Sequence, residues 1–212
     1  MANTPYIGRP LREPTGGLDL IKTIDSGSAA SYSFLHGAND VVLDATYRSY
    51  IFEIINMHPV TNGVPLRWKW SKDGGANYST LAANTSVVTS EHGEDNTPAQ
   101  AQNNTGYYSG TDGNAWAAGM NHHIGGYVSN DSDSGTSGTM SFFHPYSTNK
   151  TPVCQGRINT SGGDDGENNP WLLHSHTACI IDVRDEVING VQFFFSSGNI
   201  DSGTIKLYGF RR

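Results

Sequence analysis

Large apolar residues recur at every second position in several short runs of this chain, as they do in strands that bury one face. The clearest run is Leu66, Trp68 and Trp70 alternating with Arg67 and Lys69, which sets bulky rings on one side and charge on the other. It stops at Lys72-Asp73-Gly74-Gly75, where the Asp-Gly step predicts a tight hairpin turn. Comparable patterns predict strands over residues 18–24, 31–35, 41–43 and 47–57, then over 139–143, 171–183, 187–195 and 204–210. Val191, Phe193 and Phe195 share one face with Gln192 and Phe194 opposite, and Ser197-Gly198-Asn199 predicts a reversal toward Ile205 and Leu207.

The stretches between these runs are polar. Residues 1–17 carry Pro5, Pro10 and Pro14, which remove backbone donors and fix φ, so they predict an extended arm, either frayed or laid across a neighbouring subunit. Residues 76–138 are rich in Asn, Gly, Ser and Thr with isolated aromatics, and predict a loop-rich insertion threaded by short edge strands. The turn at residues 161–169 is Gly- and Asp-rich. Many short strands separated by turns predict an all-β fold: one antiparallel, jelly-roll-like β-sandwich over residues 18–212, preceded by the arm.

Composition sharpens this picture. Twenty-five Gly, nine Pro and only 16% charged residues in a chain of 212 disfavour helix. A net charge of −7 with no basic cluster argues against a nucleic-acid partner. No apolar run has the length of a signal peptide or a membrane span, so no membrane partner is expected. Cys154 and Cys179 lie in apolar strand-like surroundings without metal-type spacing and are read as buried free thiols.

Few residues suggest chemistry. The chain lacks a Gly-x-Ser-x-Gly elbow, a phosphate-cradling loop and a His-Glu-x-x-His helix, so no catalytic residue, metal ligand or cofactor is assigned and a non-enzymatic role is expected. His174 and His176 would share a strand face and resemble half of a cupin signature, but residues 177–181 are apolar where the next ligand should follow. His122-His123 reads as a loop pair, and Asp131-Ser132-Asp133 as a solvated turn. Two carboxylates of a glycosidase could hide among the acidic residues, which keeps that enzyme class as a minor alternative. Tyr107, Tyr108 and Trp116 stand in polar surroundings, where they serve either as a lid over the sandwich or as platforms for a glycan or partner protein.

The run from Phe195 through Gly209, with Ser-Ser-Gly-Asn-Ile-Asp-Ser-Gly-Thr at its centre, resembles the closing hairpin of structural proteins from tailed phages of marine and cyanobacterial hosts. The tryptophan strand and its Asp-Gly-Gly turn resemble the middle of such proteins. The resemblance implies a virion protein assembled in the bacterial cytoplasm, decorating or cementing the capsid or forming a compact tail module. It implies partners of three kinds: other copies of itself, commonly as a homotrimer, the major capsid or tail proteins, and a host surface glycan for a receptor-binding module.

Overall fold

A computed structural model describes residues 17–25, 27–78, 85–95, 106–109, 122–164, 167–181 and 187–211. They build twelve strands: β1 (Leu18–Ile24), β2 (Tyr32–Leu35), β3 (Ser49–Pro59), β4 (Val64–Ser71), β5 (Thr85–Asp95), β6 (Gly106–Ser109), β7 (His122–Val128), β8 (Gly135–Phe143), β9 (Val153–Asp164), β10 (Glu167–Ile181), β11 (Gly190–Phe195) and β12 (Ile200–Phe210). An eight-stranded sheet runs in the order β1-β12-β3-β8-β9-β10-β5-β6, and a four-stranded sheet runs β2-β11-β4-β7. Every pairing is antiparallel, so the expected β-sandwich is what the chain forms.

The alternation read from the sequence sets the core. Trp68, Trp70, Phe34, Val191, Phe193 and Phe195 project from the smaller sheet onto Phe52, Ile54, Phe142, Ile205 and Leu207 of the larger one, all buried. Phe52 meets Phe34 and Phe193 edge-on, at centroid distances of 5.3 and 5.1 Å, and Trp68 lies 6.2 Å from Phe142. Such tilted and edge-on pairs add roughly 0.5–1.5 kcal/mol each beyond the area they bury.

Two backbone devices shape the larger sheet. In β3 the buried side switches from Ile54 to Met57 across Asn56, whose φ is 45°, where the register with β8 shifts: a β-bulge. Gly203 of β12 fits against this bulge with φ 121°, and a Cβ there would stand 2.6 Å from Met57 Cα. At the other end, β7 drops close to β9 and β10 because Gly125 and Gly126 carry no side chain; a Cβ at Gly125 would reach Ile158 at 2.9 Å, and one at Gly126 would strike Leu173.

Several sequence readings need correction. Residues 41–43 form no strand: Val41 and Leu43 alternate because a loop docks both side chains in the core. That loop is pinned by Tyr50, whose hydroxyl donates to Asp44 O and accepts from Asp44 N, both at 2.7 Å. Burial pushes the Tyr50 phenol well above its ordinary pKa. The Asp73-Gly74 turn exists, with Gly74 at φ 70°, but it does not fold a hairpin back onto β4, whose neighbours are β11 and β7. Ser197-Gly198-Asn199 likewise carries the chain from one sheet to the other, since β12 pairs with β1 and β3. Residues 153–164, partly read as a turn, are strand β9, and the region 76–138 contains β5, β6, β7 and the start of β8. His122 and His123 belong to β7 rather than to a loop. The cysteines are not free: Cys154 and Cys179 oppose one another on β9 and β10 and are joined by a disulfide, with Cα atoms 5.1 Å apart. The expected arm falls on residues that, apart from Gly17, lie outside the described ones.

Candidate functional site: a polar row across the larger sheet

Opposed residues of an antiparallel ladder project to one face, so the register of the larger sheet can be read straight across it. In register one row joins all eight strands: Thr23, Lys206, Glu53, Thr139, Arg157, His176, Ser90 and Tyr107, and its members from Lys206 to His176 lie on the outer face. An adjacent row carries Ser141, Gln155 and Ala178. Where the two rows cross β8, β9 and β10, the surface dips into a shallow hollow of about 510 Å³ lined by Thr139, Ser141, Gln155, Arg157 and His176.

The chain places these groups by simple alternation. In β9, Cys154, Ile158 and Thr160 are buried while Gln155, Arg157 and Asn159 are exposed; in β10, Ser175 and Thr177 are buried while His174 and His176 reach outward. On the buried face of the same two strands the Thr160 and Thr136 hydroxyls bond to each other at 2.9 Å, which leaves those two polar atoms paired. On its far side the row is braced by Glu53, which accepts from Tyr208 Oη at 2.9 Å and lies 3.6 Å from Lys206 Nζ. The Glu53 contact raises the Tyr208 pKa.

The histidines predicted to share a strand face do so. His174 Nε2 and His176 Nε2 approach to 2.7 Å with their rings at 83°, and His174 Nδ1 meets Asn159 Oδ1 at 2.6 Å. Among the described residues no three His, Cys, Asp or Glu side chains converge as a metal site.

Tyr107 and Tyr108 are consecutive on β6, at the register positions opposite Ser90 and Thr89 of β5. Trp116 lies outside the described residues. Arg157, Asn159 and Gln155 were not singled out from the sequence, because nothing local marks a polar residue as part of a row until the ladder is known.

A second hollow, of about 560 Å³, lies at the other end of the larger sheet, between Asn56, His58, Asp133 and Asp201. His58 meets Asp201 Oδ2 through Nδ1 at 3.2 Å and the Asp131 carbonyl through Nε2 at 2.9 Å. Ser129 Oγ donates to Asp131 Oδ2 at 2.6 Å, and the turn expected at Asp131-Ser132-Asp133 is tied to β3 through the His58 bond to the Asp131 carbonyl. This histidine is occupied as a brace.

Among the described residues there is no helix long and apolar enough to cross a membrane. Comparison with known proteins adds no relative: no family model matches the chain, and neither a curated protein nor a solved structure gives a significant match.

Proposed function

We propose that this chain is a non-enzymatic structural subunit of a tailed-phage particle, decorating or cementing the capsid or forming a compact tail module, and that it docks on copies of itself through its N-terminal side. The observation that carries this reading is the open edge at β1. That strand pairs with β12 alone among the described strands, and Leu18 and Leu20 on it are 52% and 56% exposed. Apolar residues on an unpaired edge favour association with another chain, and proteins that stay monomeric blunt such edges. The proline-bearing residues 1–17 lead directly into this edge, so an arm lying over a neighbour and a strand edge meeting it make one continuous contact. The Cys154–Cys179 bond suits a protein whose working life is spent outside a reducing cytoplasm, as that of a released particle is.

Deleting residues 1–17 and replacing Leu20 by Lys should each leave the strand-rich circular-dichroism spectrum intact. Both changes should reduce self-association, read by light scattering, and incorporation into particles, read by mass spectrometry, by about tenfold or more, the factor equivalent to roughly 1.4 kcal/mol. Undiminished incorporation of both variants would remove the arm and edge from the assembly.

A second reading, recognition of a host glycan, is favoured by the outer polar row. Planar Arg157 and Gln155 beside the hydroxyls of Thr139 and Ser141 offer bidentate donors of the kind sugars engage. On a glycan array the protein should retain a defined set of saccharides, and Arg157→Ala and Trp116→Ala should abolish that retention. An array that stays blank for the intact protein ends this reading without touching the first.

A further inference from the structure

We infer that an apolar band across the outer face of the larger sheet receives residues 1–16 of a neighbouring copy, an assignment that rests on the self-docking reading above and names the surface the arm would lie on. The band is a register row. Leu18, Phe210, Ser49, Phe143, Val153 and Ile180 stand opposite one another across β1, β12, β3, β8, β9 and β10. The next residues along their strands, Tyr50, Phe142, Cys154 and Ile181 among them, are buried, so the row itself faces outward. Leu18, Val153 and Ile180 are 52%, 38% and 49% exposed, and Phe143 and Phe210 are half-buried. The adjacent row adds Leu20, Tyr208 and Ile51 at the β1 end.

Single exposed apolar side chains are ordinary, but a contiguous set bordered by polar residues marks a contact surface. The smaller sheet packs on the opposite face of the larger one, so among the described residues no second layer covers this band.

Three features choose the occupant. Leu18 is both the first residue of β1 and the first member of the row, so the arm joins the sheet at the end where the band lies. Sixteen residues precede Gly17, and at about 3.3 Å each they reach about 50 Å. The row from β1 to β10 crosses only about 24 Å, at about 4.8 Å between strands. Finally, Tyr6, Ile7 and Leu11 supply apolar side chains, while Pro5, Pro10 and Pro14 favour the extended form that docks on aromatic surfaces without a hydrogen-bonded ladder.

The direction of entry selects a neighbour's band over the chain's own. Arg211 N–H donates to Gly17 O at 3.1 Å, which carries the β1–β12 ladder one step past Leu18, so the chain arrives in the plane of the sheet. A segment continuing in line passes onto a copy beyond the strand ends, whereas covering its own face would take an immediate reversal. Giving one arm and receiving another is a head-to-tail contact, which forms a ring when its rotation closes.

The test uses the full chain with Leu11 replaced by the photoreactive p-benzoylphenylalanine, irradiated as an equal mixture of ¹⁴N- and ¹⁵N-labelled protein. Cross-links joining the two labels are expected, with their far ends in β8, β9 or β10. In the unmodified protein at high concentration, trypsin should cut after Arg12 about tenfold more slowly than in the Val153→Lys, Ile180→Lys double variant, and dilution should remove that protection. Both substitutions fall on exposed positions, so urea denaturation of the double variant should match the parent within about 1 kcal/mol. The assignment is overturned if no cross-link joins the two labels, if such cross-links end outside these strands, or if the double variant self-associates and shields Arg12 as the parent does. Light scattering separates the two failures. A parent monomeric at every concentration removes the self-docking reading as a whole, whereas equal arm-dependent association of parent and double variant removes this surface alone.

Discussion

Phe193→Ala is expected to destabilise the sandwich by about 3–5 kcal/mol, the usual cost of emptying an aromatic site in a packed core. Phe193 is fully buried and lies 5.1 Å from Phe52, 5.9 Å from Trp68 and 6.2 Å from Phe34, so it joins rings of both sheets. Removing it strips contacts from all three at once, and neighbours held in two ladders have little freedom to collapse into the space. For a domain of this size the loss corresponds to a fall of roughly 10–15 °C in Tm. Phe194 supplies the control within the same strand. It faces away from the core, half-buried, with Lys69 Nζ 4.7 Å from its ring centroid, so Phe194→Ala should cost about 1 kcal/mol. Burial lowers the Lys69 pKa, in keeping with an ammonium lying along apolar surface. Equal losses at the two positions, measured by urea denaturation, would mean that the alternation assigned to β11 is wrong.

Opening the disulfide should have the second largest effect. Cys154 and Cys179 are 25 residues apart, and closing a loop of that length restricts the unfolded chain by about 3.5 kcal/mol in the chain-entropy description. Denaturation of the oxidised protein should therefore require distinctly more urea than denaturation after reduction, and the Cys154→Ala, Cys179→Ala double variant should match the reduced protein within about 1 kcal/mol. The two sulfurs are buried, so reduction should be slow in the native state and rapid once urea opens β9 from β10. Titration of two free thiols in protein purified under air would contradict the pairing.

The cysteine pair also shows where sequence patterns stop being informative. Cys179 sits in an apolar run that is legible as strand, but Cys154 is the second residue of β9, whose inward positions are Cys154, Gly156, Ile158, Thr160 and Gly162. Because β7 presses close through Gly125 and Gly126, small and hydroxyl-bearing residues fill that face, and the period-two hydrophobic signal fades. With β9 hidden, the residue opposite Cys179 could not be identified. The same gap concealed Asn159 and Arg157, whose importance comes from lying across from His174 and His176. By contrast β1 falls at residues 18–24 as read, and the buried faces of β4 and β11 match the alternation of Trp68, Trp70, Phe193 and Phe195. Strands facing a thick apolar core announce themselves. Val41 and Leu43 mark the opposite failure, where a docked loop borrows the period of a strand.

The position of β12 between β1 and β3 has a consequence for biosynthesis. On the ribosome, β1 and β3 emerge long before the strand that will join them, and at about 5–20 residues per second the wait lasts some tens of seconds. Until then Leu18 and Leu20 belong to an unfastened nascent segment. A fixed edge bearing them exists only in chains whose translation has passed Phe210, so prematurely terminated products lack it.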